Sequence, residues 1–196
     1  MTTYKIAAVN GDGIGHEIVP AGMRVLEAAA AKHNFKIESE TFLWGAGRYK
    51  EKGAFLPENG LETLKKFDAV LFGAVGLPEV DDTLPFKLFT NLERTSFKQY
   101  VNYRPVKLFD GLDSPLRHKT QKDIDFVIIR ENNEGEFVQS GRQLYPDSPE
   151  GMALDTSIFT RQGTTRVAHY AFQLAQKRGK HLTSVAKSNT LIQTLS

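Results

Sequence analysis

The sequence predicts an α/β protein built on an open, largely parallel sheet. A short apolar run, Tyr4 to Val9, leads straight into the glycine-rich stretch Asn10-Gly11-Asp12-Gly13-Ile14-Gly15, and a helical period begins immediately after it. The alternation of strand-like and helix-like segments then continues, which is the pattern of strands joined by covering helices. No internal repeat or low-complexity tract interrupts it.

Each element has its own warrant. From His16 to His33, Ile18, Val19, Met23, Leu26 and Ala30 recur at three- and four-residue steps, so a helix is expected. Lys36 to Leu43 alternates like a second strand. Gly60 to Phe67 reads as a short helix with Asn59 as N-cap. Asp68 to Val75 (DAVLFGAV) reads as a buried strand ending in glycines, and Gly76 to Pro85 as a loop. Two further β-like runs follow, Gln99 to Phe109 and Asp123 to Arg130. Glu131 to Pro149 is polar, contains glycine and lacks a helical period, so it is a loop or a projecting hairpin. Thr160 precedes a helix expected over Arg161 to Arg178. His181 to Ala186 is a strand candidate, and Asn189 to Ser196 has the makings of a helix start.

Composition narrows the classes. The 196 residues suffice for one large domain or two small ones. With 40% hydrophobic and 24% charged residues the chain is of globular rather than fibrous or disordered type. A net charge of +2 with acids and bases interleaved gives no basic footprint, so no nucleic-acid partner is expected. Cysteine is absent, which excludes disulfides, thiolate nucleophiles and cysteine-ligated metal centres within the chain and fits a reducing compartment. The N-terminus lacks a basic segment followed by an apolar one, and no apolar run approaches the ~20 residues that cross a bilayer. The expectation is a cytoplasmic protein with no membrane partner.

Three constellations carry chemistry. The turn at Gly11 to Gly15 has two readings: a tight turn whose glycines supply positive φ, or a dinucleotide cradle. A dinucleotide fingerprint would be G-x-G-x-x-G, and here the third glycine comes one residue early. Arg94, Arg104 and Arg130 form a set suited to a di- or tricarboxylic acid, because guanidinium grips carboxylates through two parallel hydrogen bonds. Arg104 and Arg130 fall at or near the ends of β-like runs; taken singly, each arginine is more often a surface or salt-bridged residue. The run Arg130 to Glu136 (RENNEGE) is either a solvated acidic loop or an oxygen-rich site for magnesium or manganese. Lys187, just after a strand candidate, is a base if desolvated in a cleft and otherwise an exposed lysine. The five histidines show no paired spacing.

Taken together these segments resemble the isocitrate, isopropylmalate and tartrate/D-malate β-decarboxylating dehydrogenases. The segments that carry the resemblance are Asn10 to Gly15, Gly73-Ala74-Val75-Gly76, Asn102-Tyr103-Arg104-Pro105-Val106, Arg130 to Glu136, Ile158-Phe159-Thr160-Arg161 and Lys187-Ser188-Asn189. They occur in family order over essentially the whole chain, and the Asn-Asn-Glu-Gly-Glu version looks most like the tartrate/D-malate branch. The resemblance implies an isopropylmalate dehydrogenase-like open parallel or mixed sheet in two sub-domains. These would be residues 1–98, and residues 99–196 with a dimer arm at about 135–157.

It also implies a chemistry: oxidation of a 2-hydroxyl by hydride transfer to NAD, loss of the β-carboxylate, and protonation of the enol, assisted by Mg2+ or Mn2+. Arg94, Arg104 and Arg130 would bind the small hydroxy dicarboxylate. Lys187 would act in the partner subunit of a homodimer. Gly73 to Gly76 and Asn189 would approach the cofactor, and the glycine turn would not be a Rossmann cradle.

Two departures stand out. The enol-protonating tyrosine of the family is replaced by Phe137. The aspartates that bind the metal lie, in relatives, beyond the point where this sequence ends, so no metal ligand is expected within it. The implied chain is incomplete at the C-terminus and weak or inactive as a catalyst. The alternative is a non-catalytic dimerising remnant with a structural or regulatory role.

Overall fold

A computed structural model describes residues 1–187, 189 and 190. Ser188 and residues 191–196, on which the expected helix start mostly falls, lie outside the described residues. The chain divides into two compact units, Met1–Ser96 and Phe97–Ser196.

The first unit is organised by β1 (Thr3–Val9), which pairs in parallel with β2 (Lys36–Phe42) on one side and β3 (Ala69–Phe72) on the other. Ile6 to Val9 are all buried, as a central parallel strand covered on both faces requires. Helix α1 (Gly15–His33) crosses from β1 to β2 and packs against this sheet. It ends on Asn34, whose left-handed conformation lets its N–H reach Ala30 O.

Expected helix α3 is shorter than the sequence suggests, Gly60–Leu64, and Asn59 makes no side-chain cap. Strand β3 stops at Phe72 rather than Val75. The backbone leaves the ladder there, after Gly73 N donates to Val9 O at 2.8 Å, and Ala74 O turns to accept from Asp12 N at 2.6 Å.

Two helical pieces have no counterpart in the sequence reading. One is α2 (Ala46–Lys52). The other is a run of α4 (Thr83–Pro85), a π-helical turn (Phe86–Thr90) and α5 (Asn91–Ser96), which begins inside the expected loop. An aromatic chain anchors this run. Phe89, fully buried, lies 6.2 Å from Phe55 and 5.1 Å from Phe72 between ring centroids, and Phe55 stacks on Tyr49 at 4.7 Å. Glu93 on α5 is only 6% exposed. Burial pushes its carboxyl up to about 7, against the smaller opposing pull of Arg94.

In the second unit, β4 (Val101–Lys107) and β5 (Asp125–Glu131) form an antiparallel pair. The long polar segment is a hairpin, β6 (Gly135–Leu144) with β7 (Met152–Ile158). Helix α6 (Arg161–Lys177) packs on β5, tied at its end by Arg178 to Asp125 at 2.6 Å. Its N-cap is Thr160, as expected, whose hydroxyl accepts from Gly163 N at 2.9 Å. The strand expected over His181 to Ala186 is not formed; these residues have no regular structure, and Val185 is 91% exposed. Among the described residues no helix is long and apolar enough to cross a membrane.

Two outcomes follow for stability. Thr160→Ala should lower it by about 1 kcal/mol in denaturant melts, the usual cost of an N-cap. Glu93 binds its proton more tightly folded than unfolded. Its contribution is therefore complete below pH 4.5 and is lost as pH rises through about 7. Thermal midpoints should fall across that window, by an amount worth at most about 3 kcal/mol, and Glu93→Gln should flatten the fall. A rise with pH over the same window would contradict the burial of Glu93.

Candidate functional site

The glycine turn after β1 resolves as a turn. Gly15 N donates to Asp12 O at 2.9 Å, His16 N to Gly13 O at 3.2 Å and Glu17 N to Ile14 O at 3.0 Å. These three amides are therefore spent on local carbonyls, as a tight turn closing onto a helix requires. Gly11 and Gly13 do adopt positive φ, 70° and 50°.

The turn's own side chain does something the sequence reading missed. Asp12, 5% exposed, accepts from Ala46 N at 2.7 Å, Gly47 N at 2.8 Å and Gly76 N at 3.0 Å. A buried carboxylate is tolerable when backbone N–H groups satisfy it in this way. The available signal was Gly45, one residue before α2. A Cβ there would lie 2.6 Å from Asp12 Oδ2, so the backbone must be bare for the carboxylate to fit.

The Gly73-Ala74-Val75-Gly76 segment thus forms a loop beside the turn. Gly73 approaches so closely that a Cβ would meet Asn10 O at 2.0 Å. Ala74 is exposed, and the space beside Gly76 is open. A flat ring can lie against such bare backbone. Arg94, also in the first unit, is half-buried on α5 with its guanidinium carbon 6.0 Å from the Phe86 ring centre.

In the second unit the β4–β5 register brings two of the expected arginines together. Asn102 pairs with Arg130 and Arg104 with Ile128, so Arg104, Asn102 and Arg130 share one face of the ladder. Arg104 Nε donates to Asn102 Oδ1 at 2.9 Å, and Asn102 is held in turn by Asn132 at 3.4 Å. Arg130 lies over the Phe137 ring at 4.4 Å, an attraction between cation and ring face.

Among the described residues neither Arg104 nor Arg130 pairs with a carboxylate. The nearby arginines differ: Arg166 pairs with Glu131 at 3.4 Å and Arg178 with Asp125 at 2.6 Å. The hydrogen bond and charge of Arg178 hold the Asp125 carboxyl below its usual range. Two cations on one face, unanswered by acids, suit a ligand that carries two carboxylates.

The acidic run after Arg130 serves structure. Glu131 accepts from Asn133 N at 2.9 Å and Glu134 N at 2.6 Å, and Glu134 accepts from Thr160 N at 2.8 Å and Thr160 Oγ1 at 2.6 Å, at the start of α6. Among the described residues no three His, Asp or Glu side chains come together as a metal site would need. Lys187 and Asn189 are exposed, and the Lys187 carbonyl accepts from Thr190 N at 3.0 Å. Ser188, between them, is outside the described residues.

Residues 5–195 match the family model described as isocitrate/isopropylmalate dehydrogenase. A probable tartrate dehydrogenase/decarboxylase of Agrobacterium vitis is 47% identical over 191 residues, covering 96% of this chain and 53% of that protein. The D-malate dehydrogenase [decarboxylating] of Escherichia coli is 45% identical, with 97% of this chain and 54% of that protein covered. A 3-isopropylmalate dehydrogenase of Bifidobacterium longum is 44% identical over 97% of this chain. The crystal structure of isocitrate dehydrogenase from Methylococcus capsulatus superposes with a TM-score of 0.81 at 27% identity, covering 97% of this chain and 53% of that one. The chain spans about half the length of the curated relatives it matches. With the fold of that crystal structure and a family match along nearly its whole length, the chain belongs to the isocitrate/isopropylmalate dehydrogenase family.

Proposed function

We propose that this polypeptide carries substrate- and nicotinamide-binding parts of an enzyme that oxidises and decarboxylates a small 2-hydroxy dicarboxylate of the D-malate, tartrate or 3-isopropylmalate type. The observation that carries the reading is the pair Arg104 and Arg130 on one strand-ladder face without acidic partners. Family membership and the activities named for the relatives support it.

In this reading Arg104 and Arg130 hold the carboxylates, with Asn102 fixing the angle of Arg104. Arg94, in the first unit, is the third arginine that the resemblance assigns to the substrate. The Gly73–Gly76 loop, with its bare backbone and open flank, and Asn189 receive the nicotinamide end of NAD. When bound, that group would supply the acceptor for the hydride on the hydroxyl-bearing carbon. Lys187, exposed near the end of the described chain, acts on the hydroxyl proton in a partner subunit. The described residues do not assemble donors for the divalent cation that the family uses, so no step is assigned through it here.

Phe137 occupies the place of the family's enol-protonating tyrosine. Its ring supports Arg130 but has no proton to give. The final proton then comes from water or another acid, and oxidation runs ahead of protonation.

Dimerisation completes the picture. Among the described residues the β6–β7 hairpin has no third strand, all of β7 is exposed, and Met152, Leu154 and Ile158 expose apolar area on it. A two-stranded hairpin is marginal alone and gains from a partner's contacts. The second reading, a dimerising remnant without catalysis, is favoured by Phe137. It would give a dimer in light scattering with no affinity for nicotinamide nucleotides.

The test of function is to supply NAD, manganese and a panel of hydroxy acids, and to follow reduced cofactor for this chain and for a form joined to the second half of a relative. Turnover confined to hydroxy dicarboxylates is expected; none from either form would count against the assignment. In an active form, Arg104→Gln should raise KM for the dicarboxylate about 10- to 100-fold. Phe137→Tyr should raise the rate of product formation, through a protonation step faster by about 10²-fold. An unchanged rate would show that position 137 does not limit the proton transfer.

A further inference from the structure

Once β3 ends at Phe72, the loop from Gly73 to Gly76 is held, among the described residues, by three backbone-anchored hydrogen bonds. Gly73 N donates to Val9 O at 2.8 Å; the other two, Asp12 N to Ala74 O at 2.6 Å and Gly76 N to Asp12 Oδ2 at 3.0 Å, both run through Asp12. The same carboxylate accepts from Ala46 N at 2.7 Å and Gly47 N at 2.8 Å, capping α2 from 34 and 35 residues away, where Gly45 offers no side chain of its own.

The sequence is fitted around this arrangement. A Cβ at Gly11 would fall 1.9 Å from Ala74 O, and one at Gly45 would fall 2.6 Å from the carboxylate. Asp12 is 5% exposed, so its charge is screened little and its bonds to N–H groups are of the strong, charge-assisted kind. It therefore fixes a loop whose own backbone has Gly76 at φ 140°, a conformation that only glycine adopts freely.

We propose that Asp12 is a positioning residue for the cofactor: by holding Gly76 and Ala74 against the first turn of α2, it presets the loop that receives the nicotinamide ring. The inference rests on the assignment of Gly73–Gly76 to the nicotinamide end made above. Asp12 touches no substrate in this scheme. Its effect is to remove the ordering cost that a free loop would meet on binding.

The experiment uses the 15N-labelled chain and nicotinamide mononucleotide, the half of the cofactor this loop would meet. In the wild-type chain the amides of Ala74, Val75 and Gly76 should shift on titration, and the Gly76 amide should be protected from exchange. Asp12→Asn keeps the size but leaves a single uncharged acceptor oxygen for the three N–H groups that now share two. It should speed Gly76 exchange about tenfold or more and weaken nucleotide binding about fivefold or more, while α6 amides keep their exchange rates.

Faster Gly76 exchange with unaltered nucleotide affinity would overturn the positioning role while leaving the loop's assignment standing. Absence of any nucleotide response at Ala74–Gly76 in the wild type would overturn that assignment and this inference with it. If Asp12→Asn does not fold, the wild type still decides: a Gly76 amide that exchanges as fast as exposed Gly111 would overturn the clamp.

Discussion

Asp12 carries a negative charge into a place almost closed to water, and the first unit is arranged to answer it. Three amides from two other segments converge on its carboxylate, and the glycines at 11 and 45 make the room. The same demand, that charge withdrawn from water be met by hydrogen bonds or an opposite charge, shapes the second unit. Glu131 gathers Asn133 N, Glu134 N and Arg166; Glu134 gathers the backbone and hydroxyl of Thr160. Arg178 is answered by Asp125. Among the described residues Arg104 and Arg130 have no carboxylate partner and share one face of the β4–β5 ladder.

Arg166 and Arg130 are both near aromatic rings, at 4.8 Å from Tyr100 and 4.4 Å from Phe137. Only Arg166 also has a carboxylate, so its net charge is spent within the unit. Arg130 and Arg104, aligned by an antiparallel register and steadied by Asn102, keep theirs. In the proposed function, an anion with two carboxylates would gain from both.

Much of this was legible in the sequence, for physical reasons. Ile6 to Val9 is apolar without alternation because that part of β1 is covered on both faces, and Thr160 announces α6 because its hydroxyl has a fixed task at Gly163 N. The family motifs lie on the segments that build the turn, the loop and the ladder. What stayed hidden depends on distant partners. Helix α2 has no cap of its own, since its acceptor comes from Asp12, and no local pattern reports that. The helical run from Thr83 to Ser96 is held by Phe89 against Phe55 and Phe72, contacts remote in sequence. In the opposite direction, His181 to Ala186 has strand-like residues but no ladder partner among the described residues, and strand propensity without pairing makes no strand.

The claim on which the functional account turns is that Arg104 and Arg130 jointly receive a dicarboxylate. Side-chain Nε–H resonances of the arginines, followed while D-malate is titrated into the 15N-labelled chain, report on it directly. The account predicts that the Arg104 and Arg130 signals move together and saturate at one concentration, while those of Arg166 and Arg178 stay in place. Movement of Arg166 or Arg178 instead, or no movement at either Arg104 or Arg130, would contradict it.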